Sequence, residues 1–192
     1  MTLLQIMPDD APGTVLLRTT DLDVIRAELI KIGVRIERWH TARRLSADAD
    51  DKAVLEAYRT HIDRIIAEGG YRLVDVARLT PRPEDPQWPR QAREAREKFL
   101  EEHFHDEDEV RFFVAGSGCF YLHVRDRVYA TVCTAGDLLS VPSRTVHWFD
   151  MGEEPDFTAV RFFQEEDGWV GRFLPDSIAA RFPGLDDLRA VA

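Results

Sequence analysis

Apolar residues in the first 70 positions recur at helical spacing. They predict one helix from Thr20 or Asp21 to about Ile32, ended by Gly33, and a second from Asp48 to Glu68. The stripe of the first helix repeats at intervals of three, four and three and consists of Leu22, Ile25, Leu29 and Ile32. Short apolar runs predict an edge strand at 14–19 and strands at Val34–Trp39 and Tyr71–Leu79.

The pattern changes after a connecting segment. Thr80–Pro89 holds four prolines and is predicted to be a loop, and the charged run Gln91–Leu100 is predicted to be a short helix. From there short apolar runs separated by turn residues predict six strands: Val110–Ala115, Cys119–Val124, Val128–Thr134, Asp137–Val141, His147–Asp150 and Phe157–Phe163. A last short helix is expected at Pro175–Phe182, capped by Asp176.

This order of elements predicts a mainly β fold with N-terminal helices. Short strands with close turns are typical of an antiparallel double sheet or barrel. A length of 192 residues favours one domain spanning 1–192, with a helical part at about 1–70 packed on the barrel.

Charge and composition exclude several classes of partner. A formal net charge of −10 argues against nucleic acid and against an anionic membrane surface. The chain has no apolar run of 18 residues and begins without a basic stretch followed by a long apolar one, so a cytoplasmic location is expected. Cys119 and Cys133 have no CxxC spacing and are expected to be buried free thiols.

The candidate chemistry lies where the strands begin. His103 and His105 are two residues apart, so in a strand both side chains point to one face. Glu109 follows four residues later, and His147 lies at the start of a later strand. Imidazoles and a carboxylate that converge predict a site for a divalent metal such as Fe, Ni, Mn, Co or Zn. The alternative is a set of ordinary surface histidines in an acidic stretch.

These spacings resemble the two motifs of the cupin superfamily. The first is His103-x-His105-x3-Glu109-x6-Gly116, and the second is Gly136-x5-Pro142-x4-His147. Longer segments are similar to the bacterial acireductone dioxygenases and cover most of the chain: 101–118, 137–142, 147–152, 157–163 and 168–170. The resemblance implies a double-stranded β-helix, a jelly-roll barrel with helices packed on it.

The resemblance also implies an activity. Members of the family cleave 1,2-dihydroxy-5-(methylthio)pent-1-en-3-one with O2 in methionine salvage. The Fe(II) form yields 4-methylthio-2-oxobutanoate and formate, and the Ni(II) form yields 3-methylthiopropanoate, formate and carbon monoxide. By position it implies one metal ion per monomeric chain, Fe(II) or Ni(II), held by His103, His105, Glu109 and His147. It further implies that Arg111 helps to generate the bound substrate dianion and that Glu102 assists metal loading.

Several residues near the motifs have two interpretations. Arg111 shares a strand face with Glu109 and either binds the substrate or forms a salt bridge with Glu109 or Asp108. Arg161 lies in an apolar strand and needs either an ion-pair partner or a ligand. Three aromatic residues either surround the methylthio end of the substrate or belong to the barrel core, namely Phe149, Phe163 and Trp169.

Two further functions are compatible with the same motifs. One is a non-catalytic cupin that binds a metal or small ligand. The other is a different cupin enzyme, such as a sugar isomerase or a flavonol-type dioxygenase.

Overall fold

A single 16-residue strand, β6 (Glu109–Val124), joins two antiparallel sheets in the computed structural model, which describes residues 1–40, 45–46 and 49–191. The first half of β6 pairs with β8 (Asp137–Val141) and β10 (Phe157–Phe163). The second half pairs with β7 (Arg127–Thr134) and β9 (Val146–Asp150). The two sheets therefore share β6 and face each other as a barrel.

Gly116 marks the point at which β6 passes from one sheet to the other. Its φ of 66° lies in the left-handed region, and a Cβ built there would overlap the carbonyl oxygen of Asp156. The sequence predicted a turn at 116–118 between two strands. That prediction was wrong, because Ser117 continues directly into the pairing with Thr134.

The remaining strands extend the two sheets. β1 (Leu3–Pro8) lies between β7 and β2 (Leu17–Thr19). The other four are β3 (Arg35–Arg38) on β8, β4 (Leu73–Leu79) on β10, β5 (His103–Phe104) on β9, and β11 (Arg172–Phe173) on β5. The mainly β class and the cupin double-stranded β-helix are confirmed.

Helices pack against both sheets of the barrel. They are α1 (Leu22–Ile30), α2 (Asp51–Ala57), α3 (Arg59–Gly69), α4 (Trp88–Glu97) and α5 (Leu185–Ala190). The carboxylate of Asp21 caps α1 as predicted, accepting from the backbone N–H groups of Asp23 and Val24. Within the described ranges, each helix is too short or too polar to cross a lipid bilayer.

Three helix boundaries differ from the sequence predictions. The helix expected from Asp48 is divided into α2 and α3 at Tyr58, and Asp48 itself lies outside the described residues. α4 begins before the predicted Gln91, because Pro89 fits the first turn of a helix, where its missing N–H has no partner to lose. At the tail only a 3-10 helix, Ala179–Arg181, forms in the predicted range; Asp176 does not cap it, and α5 follows it.

The hydrophobic core fills the barrel except at one end, where the candidate site lies. Side chains from both sheets fill the interior, among them Phe113, Phe120, Leu122, Leu139 and Phe157. One end of the barrel is left for polar side chains from β5, β6, β9 and β10. The predicted free thiols, Cys119 and Cys133, are both buried.

Candidate metal centre

Three buried histidines meet at this end of the barrel. Pairing of β5 with β9 sets His103 directly opposite His147, and His105 follows immediately after β5. Their ligand nitrogens lie within 4.8 Å of one another. His103 is 1% exposed and His147 2% exposed, so neither is an ordinary surface histidine.

The backbone fixes which nitrogen of each ring faces the cluster. Nδ1 lies 2.8 Å from the Glu101 carbonyl in His103 and 2.7 Å from the Thr145 carbonyl in His147. Nδ1 of His105 lies 3.1 Å from the carbonyl of Val170. A carbonyl oxygen can only accept, so each Nδ1 donates a proton and each Nε2 keeps its lone pair for a metal.

Glu109 completes the cluster from the start of β6. Its Oε2 lies 2.8 Å from Nε2 of His147 and 3.5 Å from Nε2 of His105. Oε2 of Glu109 and Nε2 of His147 are nevertheless buried without a hydrogen-bond partner in the part of the chain that the structure describes. Unpaired buried polar atoms are costly, and a cation between these atoms would satisfy both. The donor set therefore fits a divalent metal.

Burial and neighbouring charges set the protonation states of the cluster. Burial, reinforced by the neighbouring His147, lowers the pKa of His103 to about 4. Burial also lowers the pKa of His105. Burial alone would raise the pKa of Glu109, but Arg111 and His147 outweigh it and hold that pKa well below its usual range. Near pH 7 the site thus offers neutral imidazole donors at His103 and His105 and an ionised carboxylate at Glu109.

Arg111 lies beside this carboxylate and is almost enclosed. Its Nη2 donates to Oε1 of Glu109 at 2.5 Å, while its Nε has no partner among the described residues. The guanidinium carbon lies 4.9 Å from the ring centre of Phe149 and 5.2 Å from that of Phe120. The predicted salt bridge to Glu109 is present, and the unpaired Nε of Arg111 is itself shielded from solvent. Asp108, the other suggested partner, accepts from the backbone N–H of Ser143.

A cavity next to the cluster contains the remaining candidate substrate residues. Its walls include Arg161, Phe149, Phe163 and Trp169. Phe149 also belongs to the barrel core, whereas Trp169 is 43% exposed at the rim. Arg161 lies in the wall and also forms the alternative ion pair, since its Nε and Nη2 donate to the Asp75 carboxylate at 2.8 and 2.6 Å.

Glu102 points away from the cavity. Its Oε1 lies 2.6 Å from Nδ1 of His123, and its Oε2 accepts from the backbone N–H of Ile178. The carboxylate therefore links the strand of His103 to the C-terminal segment. Its suggested part in metal loading stays a prediction.

Several contributors to the site were not predicted from the sequence. Phe99 and Gly168 line the cavity, Asp75 holds Arg161, and the Val170 carbonyl orients His105. Asp75 alternates with apolar residues in a predicted strand, so the face of the sheet that carries its side chain could have been inferred. A backbone carbonyl leaves no signal in a sequence.

Comparison with known proteins gives a consistent result. Residues 4–171 match the model of the ARD/ARD′ family. Acireductone dioxygenase 1 of Nocardia farcinica is 55% identical over 188 residues, which cover 98% of this chain and 99% of that protein. The acireductone dioxygenase of Saccharopolyspora erythraea is 55% identical over 190 residues, covering 99% of both chains.

A solved structure agrees with the sequence matches. The acireductone dioxygenase from Bacillus anthracis, with a cadmium ion in its active centre, superposes with a TM-score of 0.74 at 26% identity. The match covers 90% of this chain and 98% of that one. With a family model matched over most of its length and relatives matched from end to end, this chain belongs to the ARD/ARD′ family of acireductone dioxygenases.

Proposed function

We propose that this protein is a metal-dependent dioxygenase that cleaves an acireductone with O2. The observation that carries the proposal is the convergence of three buried imidazoles and the Glu109 carboxylate on one point, beside the unpaired Nε of Arg111. Family membership supplies the substrate class, and the donor set suits a divalent ion.

The four residues that would hold the ion are His103, His105, Glu109 and His147. When bound, the ion supplies a Lewis acid that lowers the pKa of the adjacent enediol oxygens of the substrate. One ionised carboxylate and three neutral imidazoles leave a net charge of about +1 at the ion, which favours an anionic substrate. These N and O donors accept both Fe(II) and Ni(II), so one ion of either metal per chain is the proposed cofactor.

Arg111 would stabilise the doubly ionised substrate. Its charge is held in place by Glu109, and Arg111 lines the cavity beside the proposed ligands. The rings of Phe120 and Phe149 exclude water from the guanidinium, and electrostatic attraction is stronger where water is absent. Arg111 is thus proposed as the catalytic residue of this chain.

The cavity wall would hold the rest of the substrate. Phe149, Phe163 and Trp169 present ring faces and edges against which a thioether sulfur packs well. Arg161, oriented by Asp75, adds a second positive charge at the wall.

We further propose that residues 1–192 form a single domain and that the protein acts as a monomer in the cytoplasm. Glu102, which lies behind the strand of His103, is proposed to assist metal loading.

Oxygen uptake with a synthetic acireductone tests the function. Apoprotein reconstituted separately with Fe(II) and with Ni(II) is expected to consume O2 in both forms. The Fe(II) form should yield 4-methylthio-2-oxobutanoate and formate. The Ni(II) form should yield 3-methylthiopropanoate, formate and carbon monoxide, detected in the headspace.

Two results would count against the proposal. An absence of oxygen uptake by both verified metal forms would favour a non-catalytic cupin or another cupin enzyme. Identical products from the two forms would remove metal control of the outcome while leaving the dioxygenase activity.

A further inference from the structure

Glu107 lies midway between two proposed ligands but outside their cluster. It is two residues from both His105 and Glu109, yet its side chain does not line the cavity. Its Oε2 accepts from the backbone N–H of Gln164 at 2.5 Å. Its Oε1 is shielded from solvent and has no hydrogen-bond partner within the described ranges. A carboxylate in this position is not a solvated loop charge.

The segment on the other side of this contact forms part of the cavity wall. Residues 164–171, called the strap here, run from the end of β10 towards β11. Gly168 and Trp169 of the strap line the cavity. The carbonyl of Val170 accepts from Nδ1 of His105. The strap therefore contacts both the proposed substrate space and a proposed metal ligand.

Gly168 allows Glu107 and the strap to approach closely. A Cβ built at Gly168 would overlap Oε1 of Glu107, so the carboxylate packs directly on the glycine backbone. Any larger residue at this position would displace either the carboxylate or the strap. The contacts at Gln164, Gly168 and Val170 thus join the strap to the ligand loop, which carries His105 and leads into β6 at Glu109.

We propose that Glu107 is a positioning residue that holds the strap against the ligand loop. Through the strap it keeps the Val170 carbonyl on the His105 ring and keeps Trp169 in the cavity wall. This proposal rests on the proposed function for its effects on the substrate and on the metal; the attachment of the strap itself does not depend on it.

Removal of the carboxylate should release the strap. In Glu107→Ala, the exchange rates of the amide hydrogens of residues 164–171 are expected to rise by about tenfold or more, as measured by mass spectrometry. At saturating metal, KM for the acireductone should rise by about tenfold, while kcat should fall by less than about threefold, because the ligands and Arg111 remain. The affinity for Ni(II), measured against a competing chelator, should also fall.

A conservative variant and a double-mutant cycle separate positioning from general instability. Glu107→Gln keeps a carbonyl acceptor for the Gln164 N–H and should retain most of the protection from exchange. Gly168→Ala should loosen the strap as Glu107→Ala does. In the Glu107→Ala background, Gly168→Ala should add little, because the methyl group enters space that the carboxylate has left. Glu166→Ala, at an exposed position of the strap, is the matched control.

Unchanged exchange and unchanged KM in Glu107→Ala would overturn the proposal. So would additive effects of Glu107→Ala and Gly168→Ala. If Glu107→Ala does not fold, as judged by circular dichroism, Gly168→Ala and Glu107→Gln supply the same comparison. Failure of the proposed function would be seen differently, as an absence of oxygen uptake by the unmodified protein, with the exchange results unaffected.

Discussion

Each proposed ligand is held by a contact behind it. Carbonyls of Glu101, Val170 and Thr145 fix the three imidazole rings, and Arg111 fixes the Glu109 carboxylate. Groups held in this way lose little conformational freedom when an ion binds. The arrangement explains how three imidazoles and a carboxylate are held close together with little exposure to water.

Loss of one imidazole should abolish most metal binding. In His147→Ala the cavity keeps two imidazoles and Glu109, and Oε2 of Glu109 loses its nearest neighbour. We expect a small fraction of the normal Ni(II) or Fe(II) content after desalting, measured by elemental analysis, and almost no activity. His40→Ala, which removes an exposed imidazole far from the cluster in sequence, is the control. Normal metal content in His147→Ala would exclude this residue from the ligand set.

Arg111→Ala should retain metal and lose rate. The guanidinium is not a ligand, so reconstituted enzyme is expected to have normal metal content at saturating Ni(II). A loss of roughly a hundredfold in kcat is expected, as is typical when a partner of transition-state charge is removed. Steady-state oxygen uptake with metal content checked in the same sample measures both. Turnover equal to that of the unmodified enzyme would show that Arg111 only pairs with Glu109.

At the scale of elements, β6 brings the site together. Glu109 and Arg111 lie on its first half, and its second half pairs with β9, which carries His147. The bend at Gly116 directs the two halves into different sheets. The ligands thus depend on a backbone conformation seven residues from Glu109 along the chain.

Gly116→Ala should therefore destabilise the fold. The φ of 66° is unfavourable for alanine, and the methyl group would overlap the carbonyl of Asp156, so a loss of more than about 2 kcal/mol in the free energy of unfolding is expected. Gly70→Ala, with the same φ but open space, should show the conformational cost alone. Gly13→Ala, with neither constraint, should be close to neutral. Equal stabilities of the three variants in urea would refute this account of the bend.

The sequence predicted most elements because their patterns are local. The stripe of α1 and its Asp21 cap are read from twelve neighbouring residues, Asp21 to Ile32. β1 was missed because it lies between two strands and is buried at nearly every position, so it shows no alternation. The end of α2 at Tyr58 depends on tertiary packing, since the Tyr58 ring lies edge-on against Phe112 of β6. Such contacts leave no periodic signal.

In the candidate site, too, local spacing was predictive, whereas contacts between distant segments could not be predicted. Spacing alone placed His103 and His105 on one face, and motif spacing added Glu109 and His147. Gln164 and Val170 contribute a backbone N–H and a backbone carbonyl. Such groups do not depend on the side chain, so the sequence gives no sign of these contacts. The contact between Glu107 and Gly168 depends on two chain segments that meet only in the folded barrel.

At the scale of the whole molecule, the site without its metal lowers the free energy of unfolding in acid. Burial lowers the pKa of His103 from 6.5 to about 4, so between these values the unfolded chain binds a proton that the folded chain does not. His103 therefore lowers the free energy of unfolding progressively as the pH falls from 6.5 towards 4, and it has no such effect above pH 6.5. Glu109, whose pKa is lowered in the folded state, adds a loss in the same direction below its ordinary pKa of 4.5.

The free energy of unfolding of the apoprotein should therefore fall between pH 7 and pH 4. For His103 alone the slope should reach up to about 1.4 kcal/mol per pH unit, because one proton separates the two states. Urea unfolding followed by circular dichroism at pH 7, 6, 5 and 4.5 measures the fall, and His103→Gln should reduce the slope. A slope of the same size in His103→Gln would place the acid sensitivity elsewhere. Added Ni(II) should raise the free energy of unfolding at pH 7, because the ion binds to the ligands of the folded chain.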